Sequence, residues 1–168
     1  MELRDTVALV TGGSEGIGRA IAEALANEGS RVTITGRRED VVRDVAEELG
    51  LDWIAGDVGN EEDAVRTVSS VIEKHGRLDI LVNNAGYGLF KPLVDMTLEE
   101  MEGVYRTNVF GPFLMTREAA RQFIQQGSGE LINISSTSSL KGSAGRTAYG
   151  SSKFALRGMT ECWRDELR

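Results

Sequence analysis

Short apolar runs alternate with amphipathic stretches along this 168-residue chain. The runs Val7–Val10, Arg31–Thr35, Trp53–Ala55, Asp79–Val82 and Leu131–Ile134 predict five strands. Continuous rather than alternating apolar character suits strands covered on both faces. Between the runs, apolar positions recur at spacings of three and four. Ile17, Ile21 and Leu25 share one helical face, as do Val41, Val45 and Leu49. Gly29 and Gly50 stop these two helices. Asn60 caps a third, with Glu61, Glu62 and Asp63 in its first turn. That helix runs to about His75, expected to be a solvated helix-end residue. Thr97 and Glu100 form a capping box for a long helix with Leu98, Met101 and Tyr105 on one face. Asn108 lies inside this helix, where asparagine is disfavoured, and Pro112 is expected to bend it. A last helix begins near Tyr149, with Leu156, Met159, Trp163 and Leu167 as its packing stripe and Cys162 packed beside it. Strand and helix alternate four times before a final strand and helix. That order predicts an α/β fold with a doubly wound parallel sheet and right-handed crossovers.

Four stretches carry candidate chemistry. Thr11–Gly18, TGGSEGIG, joins the first strand to the first helix. Gly12, Gly16 and Gly18 let backbone approach a ligand, and the helix N-terminus attracts an anion. A plain left-handed turn into a helix has the same outline. The second strand ends at Gly36, Arg37 and Arg38. In a dinucleotide fold an acid there binds a free ribose 2′-OH, and an arginine accommodates a 2′-phosphate. The same arginines can simply solvate the next helix, and Glu15 opposes a phosphate. Asn83–Gly86, NNAG, is a small-residue turn at the end of the fourth strand, where open α/β sheets bind ligands. The fourth stretch, Leu131–Lys153, reads strand, Ser/Thr cluster, Gly-rich loop and helix. Tyr149 and Lys153 are four apart and share a helix face. A lysine cation beside a phenol favours the phenolate, so Tyr149 can pass a proton near neutral pH. An ordinary exposed pair has the same spacing.

Charge and composition narrow the field. The net charge of −7 argues against a general nucleic-acid binder. One cysteine and one histidine exclude an internal disulfide and a His/Cys metal cluster. No apolar run reaches membrane-spanning length, and MELRDTVALVTGG shows no signal peptide. A cytoplasmic protein without membrane partners is expected.

Taken together, TGGSEGIG, NNAG, Asn108, Ser136 and the Tyr149/Lys153 pair resemble the classical short-chain dehydrogenase/reductase family across essentially the whole chain. The resemblance implies a three-layer αβα Rossmann-type fold, with residues 1–168 as one dinucleotide-binding domain. It implies hydride exchange between a nicotinamide cofactor and a carbonyl or alcohol, with a 3-oxoacyl thioester as one substrate. Tyr149 is then the general acid/base, and Lys153 lowers its pKa and contacts the ribose. Ser136 holds the substrate oxygen and Asn108 anchors a water. Ser136 is preferred to Ser135 because it stands thirteen residues before Tyr149. Gly12, Ser14, Gly16, Ile17 and Gly18 meet the pyrophosphate, Asp57 and Val58 the adenine, and Asn84, Ala85 and Gly86 brace the cleft. Arg37 favours NADP over NAD. A homo-oligomer through the helices carrying Asn108 and Tyr149 is implied as well. Chains of this family continue with a further strand, a loop over the substrate and a last strand. Without them the fifth strand is a sheet edge. A cofactor-binding fragment without turnover, or an interaction fragment pairing through its last helices or that edge, are the rival expectations.

Overall fold

The computed structural model describes residues 2–168. Its strands are β1 (Val7–Thr11), β2 (Arg31–Gly36), β3 (Asp52–Ala55), β4 (Ile80–Asn83) and β5 (Glu130–Asn133). Its helices are α1 (Gly16–Asn27), α2 (Glu39–Leu49), α3 (Glu61–His75), α4 (Leu98–Tyr105), α5 (Gly111–Gln126) and α6 (Thr147–Glu166). The strands form one parallel sheet in the order β3-β2-β1-β4-β5. The chain winds outward from β1 to β3, then crosses to β4 and winds the other way. The direction of winding therefore reverses between β1 and β4, and a crevice opens beyond their C-terminal ends.

Helices cover both faces of the sheet, which is why β1 is buried throughout. Val7 and Leu9 face one core with Leu81, Val68 and Val71 of α3, and Met115 and Phe123 of α5. Ala8 and Val10 face the other with Ile34, Val82, Ala22 of α1, and Val42 and Ala46 of α2.

The helical stripes are phased differently from the expectation. Ile17 is 63% exposed, and α1 packs through Gly18 and Ala22. Leu98 is also exposed, while Val104 carries the buried face of α4. On α2 the buried positions are Val42, Val45 and Ala46, with Val41 and Leu49 at the margin. At Gly18 and Ala22 of α1 and Ala46 of α2, small residues permit a close approach to the sheet, and larger side chains flank them.

Three further expectations are corrected. His75 is not solvated: its side chain is only 9% exposed, with Nε2 3.0 Å from Asp52 Oδ2. Lys74 Nζ lies 2.5 Å from Asp52 Oδ1, so the end of α3 is tied to the start of β3. Cys162 is exposed rather than packed. β5 lies at the sheet edge, as the family resemblance implied, but its apolar run is not covered on both faces, because Ile132 is 43% exposed. β4 and β5 also lie one residue from the expected bounds. Asp79 precedes β4, and its buried carboxylate accepts from the Val7 N–H at 2.8 Å.

Pro112 acts in a more specific way than a bend. Arg106–Phe110 forms a π-helical turn between α4 and α5, in which the Gly111 N–H bonds the Arg106 carbonyl. An α-helix would require residue 112 to donate to the carbonyl of Asn108, but proline has no N–H and its ring crowds that carbonyl. The widened turn relieves the conflict and places Pro112 in the first turn of α5, where a missing donor costs nothing. No helix among the described residues is long and apolar enough to cross a membrane, and none of their His, Cys, Asp and Glu side chains cluster as a metal site.

Candidate active site

A crevice of about 850 Å³ runs along the C-terminal edge of the sheet. Its floor is the glycine loop locked to the NNAG turn. Thr11 Oγ1 accepts from the N–H groups of Asn84 and Ala85, both at 3.0 Å. Asn84 Nδ2 donates to the carbonyls of Thr11 at 3.0 Å and Gly12 at 3.1 Å. Gly12 has φ +63°, and a Cβ there would lie 2.9 Å from Ala85 Cα. At Gly18 a Cβ would meet the Gly12 carbonyl oxygen at 2.2 Å. These two glycines serve packing within the floor, and Gly18 lies beneath the loop without lining the crevice. Gly16 has φ +52° with open space beside it.

The N-terminus of α1 opens into this space. Glu15 flanks it with extended backbone and makes no side-chain cap, and the first turn holds no acid. The leading N–H groups of α1 are thus free for an anion. Thr35, Gly36, Arg37, Arg38, Gly56, Asp57 and Val58 line the adjoining end. Arg38 is paired with Glu15 across this end, whereas Arg37 has no carboxylate partner among the described residues. The loop of Asp57 is fixed by two bonds: the Asp57 N–H donates to Asp63 Oδ2 at 2.8 Å, and Asp57 Oδ1 accepts from the Gly59 N–H at 2.9 Å. The Asp57 N–H and the Arg66 guanidinium hold the Asp63 carboxyl below the usual carboxylate range. Together these features suit a dinucleotide: donors for a diphosphate, then a cation and a shaped loop beyond.

At the other end stand Ser135, Ser136, Tyr149 and Lys153. Lys153 is buried, and its Nζ donates to the Ile134 carbonyl at 2.8 Å. That bond aims the ammonium along the end of β5, 5.9 Å from the centroid of the Tyr149 ring. Burial lowers the lysine's own pKa. Ser136 Oγ accepts from the Ser138 N–H at 3.1 Å, which orients the hydroxyl at the start of a short 3-10 turn.

Asn108 is buried and does not line the crevice. Its amide accepts from the Tyr87 N–H at 3.0 Å and donates to the Tyr87 carbonyl at 2.9 Å. It also donates to Ser152 Oγ at 3.0 Å, and Ser152 in turn bonds the Tyr149 carbonyl at 2.7 Å. One side chain therefore joins the π turn, the segment after β4 and, through Ser152, the first turn of α6. The other residues singled out in the sequence, Gly12, Ser14, Ile17, Asp57, Val58, Asn84, Ala85 and Gly86, all line the crevice.

Two wall residues escaped the sequence reading. The Phe90 ring lies edge-on to Tyr149 with centroids 5.6 Å apart. Arg146 lies over Phe90, its Cζ 5.2 Å from the ring centroid. Arg146 stands three residues before Tyr149, and that proximity was a usable signal. Phe90 belongs to no motif and reaches the site only through the fold.

The sequence profile of the short chain dehydrogenase family matches residues 6–168. The chain belongs to that family. It is 38% identical over 172 residues to the uncharacterized oxidoreductase YxnA of Bacillus subtilis, covering 99% of this chain and 48% of that protein. It is 36% identical over 173 residues to the 3-oxoacyl-[acyl-carrier-protein] reductase FabG of Aquifex aeolicus, covering 99% and 70%. A short-chain dehydrogenase structure from Streptomyces avermitilis superposes with a TM-score of 0.93 at 36% identity, over 97% of this chain and 61% of that one. The chain thus spans about half the length of the Bacillus relative. Membership of the short-chain dehydrogenases accords with the Rossmann-type three-layer fold and with a crevice at the switch between β1 and β4.

Proposed function

We propose that this short-chain dehydrogenase binds a nicotinamide dinucleotide, NADPH in preference to NADH, and interconverts a carbonyl compound and its alcohol. The observation that carries the reading is one crevice with anion-binding backbone at one end and Tyr149, Lys153 and Ser136 at the other. The bound cofactor supplies or accepts the hydride. In the reducing direction Tyr149 gives its phenolic proton to the substrate oxygen, and in the oxidising direction it takes that proton back. The Lys153 ammonium favours the phenolate that remains and contacts the ribose. Ser136 donates a hydrogen bond to the same substrate oxygen. Asn108 holds a water through its main-chain carbonyl, which Pro112 leaves without an α-helical donor. Gly12, Ser14, Gly16 and Ile17 form the diphosphate site with Gly18 packed beneath them, Asp57 and Val58 border the adenine, and Asn84, Ala85 and Gly86 brace the nicotinamide side. Arg37, free of a carboxylate, takes the 2′-phosphate.

Residues 1–168 act as one dinucleotide-binding unit in this reading, in the cytoplasm. Relatives named as 3-oxoacyl-[acyl-carrier-protein] reductases support a 3-oxoacyl thioester as substrate. Phe110, Phe113 and Phe154 are exposed on the π turn, α5 and α6, which supports self-association through these helices. The share of the Bacillus relative that is spanned supports a second reading, cofactor binding with little turnover. Titration with NADPH and NADH, followed by assay against ketones and oxoacyl thioesters, separates the two. Absence of affinity for either cofactor overturns both.

A further inference from the structure

The substrate end of the crevice carries a cation that the proposed proton transfer does not use. Arg146 flanks the start of α6, and its Nη1 donates to Ser138 Oγ at 3.2 Å. Its guanidinium rests over the Phe90 ring, which in turn packs edge-on against Tyr149. Gly88 makes this arrangement possible, because a Cβ there would strike the Phe90 ring at 2.5 Å. Phe90 and Ser138 thus hold Arg146 on the wall one aromatic ring away from the phenol. No carboxylate among the described residues pairs with it, although most arginines of this acidic chain have one. The acids on the crevice wall, Glu15 and Asp57, lie at its other end. The first turn of α6 is also free of acidic residues.

A guanidinium held by an aromatic face on one side and a hydroxyl on the other presents its remaining N–H groups in a fixed plane. A planar fork of that kind matches a carboxylate and is poorly served by a neutral group. We propose that Arg146 binds the carboxylate of an oxo acid whose carbonyl stands at Tyr149, so that the substrate is an anionic carbonyl compound. The inference rests on the proposed carbonyl chemistry of the same crevice but replaces the 3-oxoacyl thioester, whose acyl group is neutral, with an oxo acid that keeps a free carboxylate.

The test uses matched probes: 2-, 3- and 4-oxo acids and their methyl esters, identical except for the charge. Binding to the protein with NADP⁺ present is measured by saturation-transfer NMR and by KM where turnover occurs. The native chain should prefer at least one acid over its ester by about tenfold to a hundredfold, the range of a charge-assisted hydrogen bond. Arg146→Gln should remove that preference and Arg146→Lys should keep part of it. Both variants should bind NADPH as the native chain does. Equal binding of acids and esters, no binding of any acid, or a preference that survives Arg146→Gln overturns the proposal. The parallel NADPH titration reports separately on the cofactor reading, so failure of one is distinct from failure of the other.

Discussion

Glu15→Gln should tighten NADPH and leave NADH nearly unchanged. In the native chain Glu15 holds Arg38 across the end of the crevice where Arg37 stands free. A ribose 2′-phosphate carries a charge of about −1.5 to −2 at pH 7, so it is repelled by Glu15 and must compete with it for Arg38. The pair is solvent-exposed, with side-chain exposures of 61% and 66%. Exposed pairs are worth only about 0–1 kcal/mol, so breaking this one costs the fold little. Releasing Arg38 and removing a like charge should together add about 0.7–1.4 kcal/mol, or roughly three- to tenfold in NADPH affinity. Arg37→Ala should move the other way, weakening NADPH by about tenfold or more through loss of a charge-assisted contact. The assay is nicotinamide fluorescence on titration, at low salt and again near ~1 M salt, where the screening length falls to about 3 Å and both effects should shrink. If Glu15→Gln weakens NADPH, or shifts both cofactors by the same factor, Glu15 is shaping the glycine loop rather than competing for Arg38.

Tyr149→Phe should lower kcat by about 10²–10⁴-fold with NADPH affinity unchanged, as steady-state kinetics and titration will show; a loss under about tenfold removes Tyr149 from proton transfer. Asn108→Leu strips the Tyr87 N–H and carbonyl of their partner, which should cost about 2–4 kcal/mol in urea unfolding, and a loss below about 1 kcal/mol contradicts the bridging role. Burial lowers the native pKa of Lys153, so between that value and about 10.4 the unfolded chain binds more protons and stability rises with pH. Lys153→Met should abolish that rise, and equal pH slopes for the two chains from about pH 7 to 11 would contradict it.

The order of the strands in the sheet was not legible, whereas the strands and their alternation with helices were, because burial leaves continuous apolar runs, as in Val7–Val10 and Asp79–Val82. Helix phase was less so. Periodicity weights large apolar residues such as Ile17 and Leu98, while the closest packing was made by Gly18, Ala22 and Ala46. His75 looked idle because its partner, Asp52, lies 23 residues away. The site was legible where backbone geometry forces small residues into a fixed spacing, as in TGGSEGIG and NNAG. Pro112 announced a disturbance, but only the register of its missing N–H against the Asn108 carbonyl gave it the form of a π turn. Phe90 and Arg146 form a wall from separate segments; no local pattern marks Phe90, and only its place three residues before Tyr149 marks Arg146.

The knot of Thr11, Gly12, Gly18, Asn84 and Ala85 bears on how such a protein can change over generations. Its hydrogen bonds all join the Thr11 and Asn84 side chains to main-chain groups, and at Gly12 and Gly18 even a methyl group has no room. Variation there is close to forbidden. The rim is different: Glu15, Arg37, Arg38, Phe90 and Arg146 are exposed, and exposed substitutions shift stability only slightly. A lineage can therefore exchange rim side chains and alter which molecules it accepts while inheriting the floor intact.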